Sequence, residues 1–290
     1  MININNINPI GIGTFRIDLT KHENTLAALR HSVEYGQNFI DTSYLYEDGK
    51  NIEFLADFFK SINREKIFVM GNIEKFVEHP SDVEKQLDTY LKIMKLDYVD
   101  CLEIHERAVS KIPLLEMYSA MDALIKKGKV RFLGASNLDL EDLQMVHRKF
   151  PLATFQGVFN LENKIYETIG ALDFCEKNNI QFIAYQPLRR NRTAGHNYPV
   201  LLSLAEKYKK TQNQIILNWI IKEKQINVLL KTTTISRIDE NLSSLNFIMD
   251  TADYQKLNDF ESTEFSNIEI DWKGTGGKGI LIHQLPNQFD

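Results

Sequence analysis

A series of short apolar runs in this chain ends, one after another, in residues able to do chemistry. Asp41 follows Asn38 to Ile40, Asn72 follows Ile67 to Met70, His105 follows Val99 to Ile104, and Ser136 with Asn137 follows Arg131 to Gly134. Gln156, Tyr185 and Lys231 close three further runs. A carboxyl group and an imidazole can move protons, amides and hydroxyls can orient a polar ligand, and an ammonium can hold an anion. Taken singly, each has an ordinary explanation: Asp41 as a helix cap, His105 as a satisfied core histidine, Tyr185 as packing. Their repeated placement at the ends of apolar runs calls for an architecture that gathers those ends at one face.

The runs themselves supply it. Candidate strands fall at Ile10 to Phe15, Asn38 to Asp41, Ile67 to Met70, Val99 to Ile104, Arg131 to Gly134, Thr154 to Gln156, Phe182 to Tyr185 and Val228 to Leu230. Between them lie amphipathic segments at Thr25 to Tyr35, Ile52 to Phe59, Val83 to Met94, Leu114 to Lys126, Leu140 to Lys149, Ile165 to Lys177, Leu201 to Lys209 and Ser236 to Leu245. Strands alternating with crossover helices predict an α/β fold, a (β/α)8 TIM barrel whose active site sits at the C-terminal ends of the strands. Gln212 to Lys222 and Thr251 to Phe260 are two extra helices outside the minimal repeat. Residues 261–290 hold Gly274, Gly276, Gly277 and Gly279 and read as an irregular C-terminal tail able to fold over the site. No linker or repeat divides residues 1–290, so one barrel domain is expected.

Composition narrows the partners. The formal net charge of -5 gives no basic field for nucleic acid or an anionic membrane, so a small-molecule substrate is expected. Cys101 and Cys175 lie far apart in apolar surroundings, as reduced core thiols do. Without a basic and apolar leader or an apolar run long enough to span a bilayer, the chain reads as cytoplasmic. No histidine and cysteine cluster has metal-ligand spacing, so no catalytic metal is expected. Gly11-Ile12-Gly13 is too short for a dinucleotide fingerprint and suits a close backbone turn at the first strand.

Over roughly residues 9 to 260 the sequence resembles the aldo-keto reductase family. Asp41-Thr42-Ser43-Tyr44-Leu45-Tyr46 is similar to the segment carrying the catalytic aspartate and, five residues later, the tyrosine proton donor. Asp100-Cys101-Leu102-Glu103-Ile104-His105 resembles the strand ending in the catalytic histidine. Gly128 to Asn137 resembles a signature whose serine and asparagine hold the nicotinamide carboxamide, a role the resemblance extends to Gln156. Tyr185, within Ala184-Tyr185-Gln186-Pro187-Leu188, matches the aromatic residue that stacks on the nicotinamide, and the loop after it, with Gln186, Leu188, Arg189, Arg190 and Arg192, matches the one crossing the pyrophosphate. Arginines in such a loop also suit a solvated basic turn. Lys231-Thr232-Thr233-Thr234-Ile235-Ser236-Arg237 with Glu240 and Asn241 resembles the segment that binds the adenosine end, including its 2′-phosphate. A guanidinium engages phosphate with two donors, so the resemblance implies NADPH as cofactor.

One residue departs from the pattern. The family's third strand usually ends in a lysine that pairs with the aspartate and lowers the tyrosine's pKa; here the matching position is Asn72. An unpaired buried carboxylate takes up a proton or recruits other donors, and Asn72 can hydrogen-bond Tyr46 or substrate without stabilising a tyrosinate. Lys75 lies three positions beyond, an odd parity that points it elsewhere on an extended chain. The catalytic set implied is therefore Asp41, Tyr46, Asn72 and His105.

Two readings follow. One is an NADPH-dependent oxidoreductase reducing a carbonyl or imine, with an amino-bearing substrate suited by Glu106. The other keeps the nucleotide in a barrel that performs elimination or isomerisation, or uses it for regulation. Phe15, Tyr44, Glu106, Arg107 and Trp272 are the candidate substrate-pocket residues. The sequence sets neither the substrate nor the oligomeric state.

Overall fold

The computed structural model describes residues 4–43, 46–73, 77–104 and 112–262. Eight parallel strands, β1 (Ile10–Gly13), β2 (Phe39–Ser43), β3 (Phe68–Ile73), β4 (Val99–Ile104), β5 (Val130–Ser136), β6 (Leu152–Val158), β7 (Gln181–Tyr185) and β8 (Asn227–Leu230), close into a barrel in chain order. Strands β2, β3 and β4 are buried along their whole length, which is why they read as continuous apolar runs rather than alternating ones. The helices α1 (His22–Glu34), α2 (Lys50–Lys60), α3 (Pro80–Met94), α4 (Leu114–Lys126) and α5 (Leu140–Lys149) each return the chain to the next strand.

Several strands run past the predicted ends. The β2 to β3 ladder continues through Ser43 and Asn72, and the β5 to β6 ladder through Ser136 and Gln156. Backbone pairing does not stop where the side chains turn polar, because those side chains face the barrel mouth while their amides stay in the ladder. The helix expected over 165 to 177 is broken into α6 (Ile165–Thr168) and α7 (Ala171–Lys177) by Gly170, at φ +76°. Between β7 and β8 lie α8 (Arg192–Gly195), α9 (Pro199–Tyr208) and α10 (Gln212–Asn218), the last running into a π-helical turn at Trp219–Glu223. After β8 come α11 (Ile235–Leu242) and α12 (Thr251–Asn258), so both extra helices exist.

The barrel is filled from below. Phe39, Phe68, Met70, Cys101, Ile183 and Leu229 pack its lower lumen, with Ile4 and Ile7 against them. Gly11 serves this packing rather than the expected turn: a Cβ there would lie 2.2 Å from the Phe39 ring. Cys101 and Cys175 are both buried and free. No helix among the described residues is long and apolar enough to cross a membrane.

Candidate active site

Above the apolar floor the lumen turns polar. Asp41 on β2 is buried, and three side chains converge on its carboxyl group. Asn72 Nδ2 donates to Oδ1 at 2.9 Å, Gln156 Nε2 donates to the same oxygen at 3.2 Å, and the Tyr46 hydroxyl donates to Oδ2 at 3.3 Å. Burial pushes the Asp41 carboxyl above its ordinary range, and the bonds from Gln156, Asn72 and Tyr46 pull against that. The carboxyl has thus recruited neutral donors. No described basic side chain forms an ion pair with it. Asn72 also donates to the Thr42 carbonyl at 3.2 Å, and its own Oδ1 is buried with no described partner. Asn72 therefore bonds Asp41 rather than Tyr46.

Tyr46 owes its position to a clamp that the sequence did not suggest. Asn51, fully buried on α2, accepts from the Thr42 hydroxyl at 2.8 Å, and donates to the Thr14 carbonyl at 3.0 Å and to Glu47 at 2.9 Å. That ties β1, β2 and α2 around the turn at Tyr46–Gly49, where Glu47 and Asp48 hold left-handed backbone at φ 52° and 55°. Phe15 stands at this mouth, 41% exposed, its ring centroid 5.1 Å from that of Tyr46.

A second cluster adjoins the first. Asn137, at φ 54°, donates from Nδ2 to Ser136 Oγ at 3.0 Å and accepts from the Tyr185 hydroxyl at 2.7 Å, while its backbone N–H donates to the Gln156 carbonyl at 3.1 Å. Ser136, Asn137, Gln156 and Tyr185 therefore come together as expected. In the following loop Gln186 is half-buried and Leu188 buried. Arg189 is buried against Glu162, which also accepts from Thr193 at 3.2 Å and Tyr198 at 2.8 Å. Arg190 is exposed, and partial burial with Arg16 and Arg192 nearby holds its pKa below the usual arginine value. Arg16 thus joins a cationic group that the sequence reading had confined to the loop.

At the far end, Lys231 is exposed, Thr232 and Thr233 are half-buried, and Thr234 takes the N-cap position of α11 with extended backbone. Arg237 is exposed in the first turns of that helix. Neither Lys231 nor Arg237 forms an ion pair within the described residues, so both charges remain available to an anion. Glu240 accepts from Thr211 at 2.6 Å and is tied to α10 rather than free, and Asn241 is half-buried. Tyr44, Lys75, His105, Glu106, Arg107 and Trp272, with residues 263–290 of the tail, lie outside the described residues.

Glu103 is the residue that sequence reasoning passed over. It is fully buried on β4, its Oε1 lies 2.6 Å from the Thr154 hydroxyl, and its Oε2 accepts from Gln156 Nε2 at 3.4 Å. Burial, with Asp41 nearby, raises its pKa well above the ordinary range. Along β4 it is one of two acids, with Asp100, and spacing alone does not separate the two.

The model of the Aldo/keto reductase family matches residues 9–262. Aldo-keto reductase family 1 member D1 of Mus musculus is 30% identical over 84% of this chain and 84% of its own length. Methylglyoxal reductase YeaE of Escherichia coli is 26% identical over 86% of this chain and 89% of its own. Among solved structures, an aldo-keto reductase from Klebsiella pneumoniae in complex with NADPH superposes with a TM-score of 0.80 at 25% identity, covering 87% of this chain and 90% of that one.

Proposed function

Because the chain belongs to the aldo/keto reductase family, we propose that it is an NADPH-dependent oxidoreductase that reduces a carbonyl or imine group of a small molecule. The observation that carries this reading is the convergence of Tyr46, Asn72 and Gln156 on Asp41 beside the Ser136, Asn137 and Tyr185 cluster. The chain's residues suit the cofactor. Ser136, Asn137, Gln156 and Tyr185 offer donors, acceptors and a ring face for the nicotinamide; the loop of Gln186, Leu188 and Arg190 follows, and Lys231 and Arg237 remain unpaired for the 2′-phosphate beside Thr232, Thr233 and Thr234. The solved NADPH complex of the Klebsiella pneumoniae relative supports the same assignment. The comparisons do not favour the non-redox alternative.

NADPH, when bound, supplies the hydride. Tyr46 gives its proton to a carbonyl oxygen or a neutral imine nitrogen on which negative charge develops, with His105 as the second donor to that atom; an iminium nitrogen already carries its proton and becomes a neutral amine on hydride addition, so there Tyr46 only orients the substrate. Asp41 accepts from the Tyr46 hydroxyl and so fixes the phenol in the free site, and donation requires that single hydrogen to turn from Asp41 Oδ2 to the substrate. With no described basic side chain paired to Asp41, a substrate bearing its own positive charge, such as an iminium, suits this site better than a neutral aldehyde does.

Arg237→Ala tests the cofactor assignment. Charge-assisted hydrogen bonds to a phosphate contribute about 1.5–3 kcal/mol. NADPH affinity should therefore fall by about tenfold to a hundredfold, with NADH affinity unchanged in a fluorescence titration. Equal losses for both nucleotides remove Arg237 from the 2′-phosphate.

A further inference from the structure

Glu103 has no task in the reaction just described, yet the barrel is built around it. Gly134 on β5 makes room for it: a Cβ at that position would stand 2.6 Å from Glu103 Oε1 and 2.2 Å from Thr154 Oγ1. The β5 to β6 register shifts at Leu133/Gly134, beside the same pair. The Glu103 carboxyl and that of Asp41 flank one group, the Gln156 side-chain amide, whose nitrogen donates to Asp41 Oδ1 at 3.2 Å and to Glu103 Oε2 at 3.4 Å. Both N–H bonds of that amide are thereby spent. The Gln156 amide oxygen accepts no hydrogen bond from a described residue.

Three other buried acids are treated differently. Asp100 meets Arg64 and Arg131, Glu162 meets Arg189, and Asp253 meets Lys207 and Lys256. Asp41 and Glu103 have no cation among the described residues. The titratable groups facing Glu103 are Asp41 from β2, Cys101 from its own strand and Tyr118 from α4, with Tyr46 on the far side of Asp41; none of these is a base that could neutralise it. Two buried carboxylates sharing one amide cannot both carry charge at neutral pH, because the interior does not screen their repulsion.

We propose that Glu103 is a positioning residue: with Asp41 it forms a carboxyl pair holding a single negative charge, and it turns the Gln156 amide so that its NH2 faces into the barrel and its carbonyl oxygen faces the mouth. Gln156 then offers the cofactor's carboxamide an acceptor rather than a donor. The proton of the pair resides on Glu103, which is the more deeply buried member and is close to Thr154, while Asp41 keeps the charge and its three donors. The Thr154 hydroxyl continues the chain to Cys101 Sγ at 3.2 Å, so either direction of the Glu103 to Thr154 bond can be satisfied. The role in cofactor positioning rests on the NADPH reading above, whereas the carboxyl pair does not.

The test has two arms. In the first, infrared difference spectra between wild type and Glu103→Gln should show one protonated carboxyl at neutral pH in the full chain without nucleotide, lost in the variant. Absence of that band from wild type overturns the pair whatever the protein binds. In the second, NADPH is titrated against wild type, Glu103→Gln and Glu103→Leu across pH. A primary amide copies the protonated carboxyl, so Glu103→Gln should keep the neutral-pH affinity and abolish the weakening that wild type shows as the pH rises. Glu103→Leu removes the acceptor for Gln156 and should weaken NADPH by about tenfold, leaving adenosine 2′,5′-bisphosphate unaffected. The same alkaline weakening in wild type and Glu103→Gln, or wild-type NADPH affinity in Glu103→Leu, overturns the positioning role. If Glu103→Leu does not fold, the pH profile of Glu103→Gln decides alone. Failure of wild type to bind NADPH at any pH sinks the functional reading and the positioning role together, and the infrared arm still decides the pair.

Discussion

Strand β4 carries two buried acids with opposite treatment. Asp100, near its lower end, is ion-paired with Arg131 and with Arg64 at 2.7 Å, and accepts the Val69 backbone N–H at 2.9 Å. Glu103, three residues on and facing the lumen, has a hydroxyl and an amide beside it and no described cation. The difference separates stability from chemistry. At the base, where nothing reacts, charge is neutralised by fixed side chains. At the mouth, Asp41 and Glu103 are held by neutral donors only, so the local charge stays negative and responds to whatever binds there.

The largest effect expected from this division is on turnover. Tyr46→Phe deletes the proposed proton donor at the mouth without touching the cofactor contacts, and general acid catalysis of this kind is worth about 10²–10⁴-fold. Steady-state rates should fall by that factor while NADPH binding holds. Near-normal turnover would mean that another acid carries the proton.

Stability should be affected in the reverse order. Asp100→Ala strips the carboxylate from two arginines that are themselves only 18% and 25% exposed, so urea unfolding should show a loss of about 2–4 kcal/mol. Asp41→Asn should cost less than about 1 kcal/mol. Asn72 and Gln156 both donate to one oxygen, Oδ1, which the asparagine keeps, and its new amide faces the Tyr46 hydroxyl, which can accept. Equal costs for the two variants would erase the contrast between base and mouth.

The same contrast shows why the sequence was legible in some places and not in others. The strands could be read because parallel barrel strands are buried on both faces; β4 runs from Val99 to Ile104, as its apolar run predicts. Helices α4 and α5 match their predicted limits because Pro113 stands before one and Asp139 caps the other, accepting from the Asp142 N–H at 2.8 Å. Asp41, Tyr46, Gln156 and Tyr185 could be picked out because their residue types are unusual at strand ends or match a motif. Asn51, Arg16 and Glu103 could not, because their significance lies in contacts between elements: a clamp over two strands, a cationic group shared by two loops, an amide shared by two carboxyls. Spacing along one segment does not reveal such pairs.

Protons sharpen the comparison further. Glu103 has a folded-state pKa raised above the ordinary value, chiefly by burial. Between the two values the folded chain keeps a proton that the unfolded chain has released. Its contribution is fully present below the unfolded pKa of about 4.3 and is lost as the pH rises through the folded value. As the pH rises above the unfolded value, wild type should therefore lose stability relative to Glu103→Gln. Asp253 behaves oppositely: Lys207, Lys256 and Tyr208 lower its pKa, so its contribution is lost on acidification. Both proteins retain Asp253, so it cancels from the difference. A constant gap over that rise would place the proton elsewhere than on Glu103.

The smallest expected effect is the most discriminating for substrate. Asn72→Lys brings the base's strategy to the mouth by giving Asp41 a cation in place of the amide now 2.9 Å from Oδ1. An ammonium there favours the tyrosinate left after Tyr46 donates, and a change of one pKa unit corresponds to a factor of about ten. Turnover of generic neutral aldehydes should rise by up to about tenfold, since the developing negative charge gains a neighbour it lacks in wild type. A substrate that carries its own cation meets the opposite field. The new ammonium repels it, cancels the negative charge that attracted it, and should lower its kcat/KM by a similar factor. Parallel pH–rate profiles of wild type and variant, on aldehydes and on candidate imines, separate these cases. A gain on both classes alike discards the charged-substrate preference and leaves Asn72 as a plain attenuation of Tyr46. A gain on aldehydes with a loss on imines identifies the missing cation as one the substrate supplies.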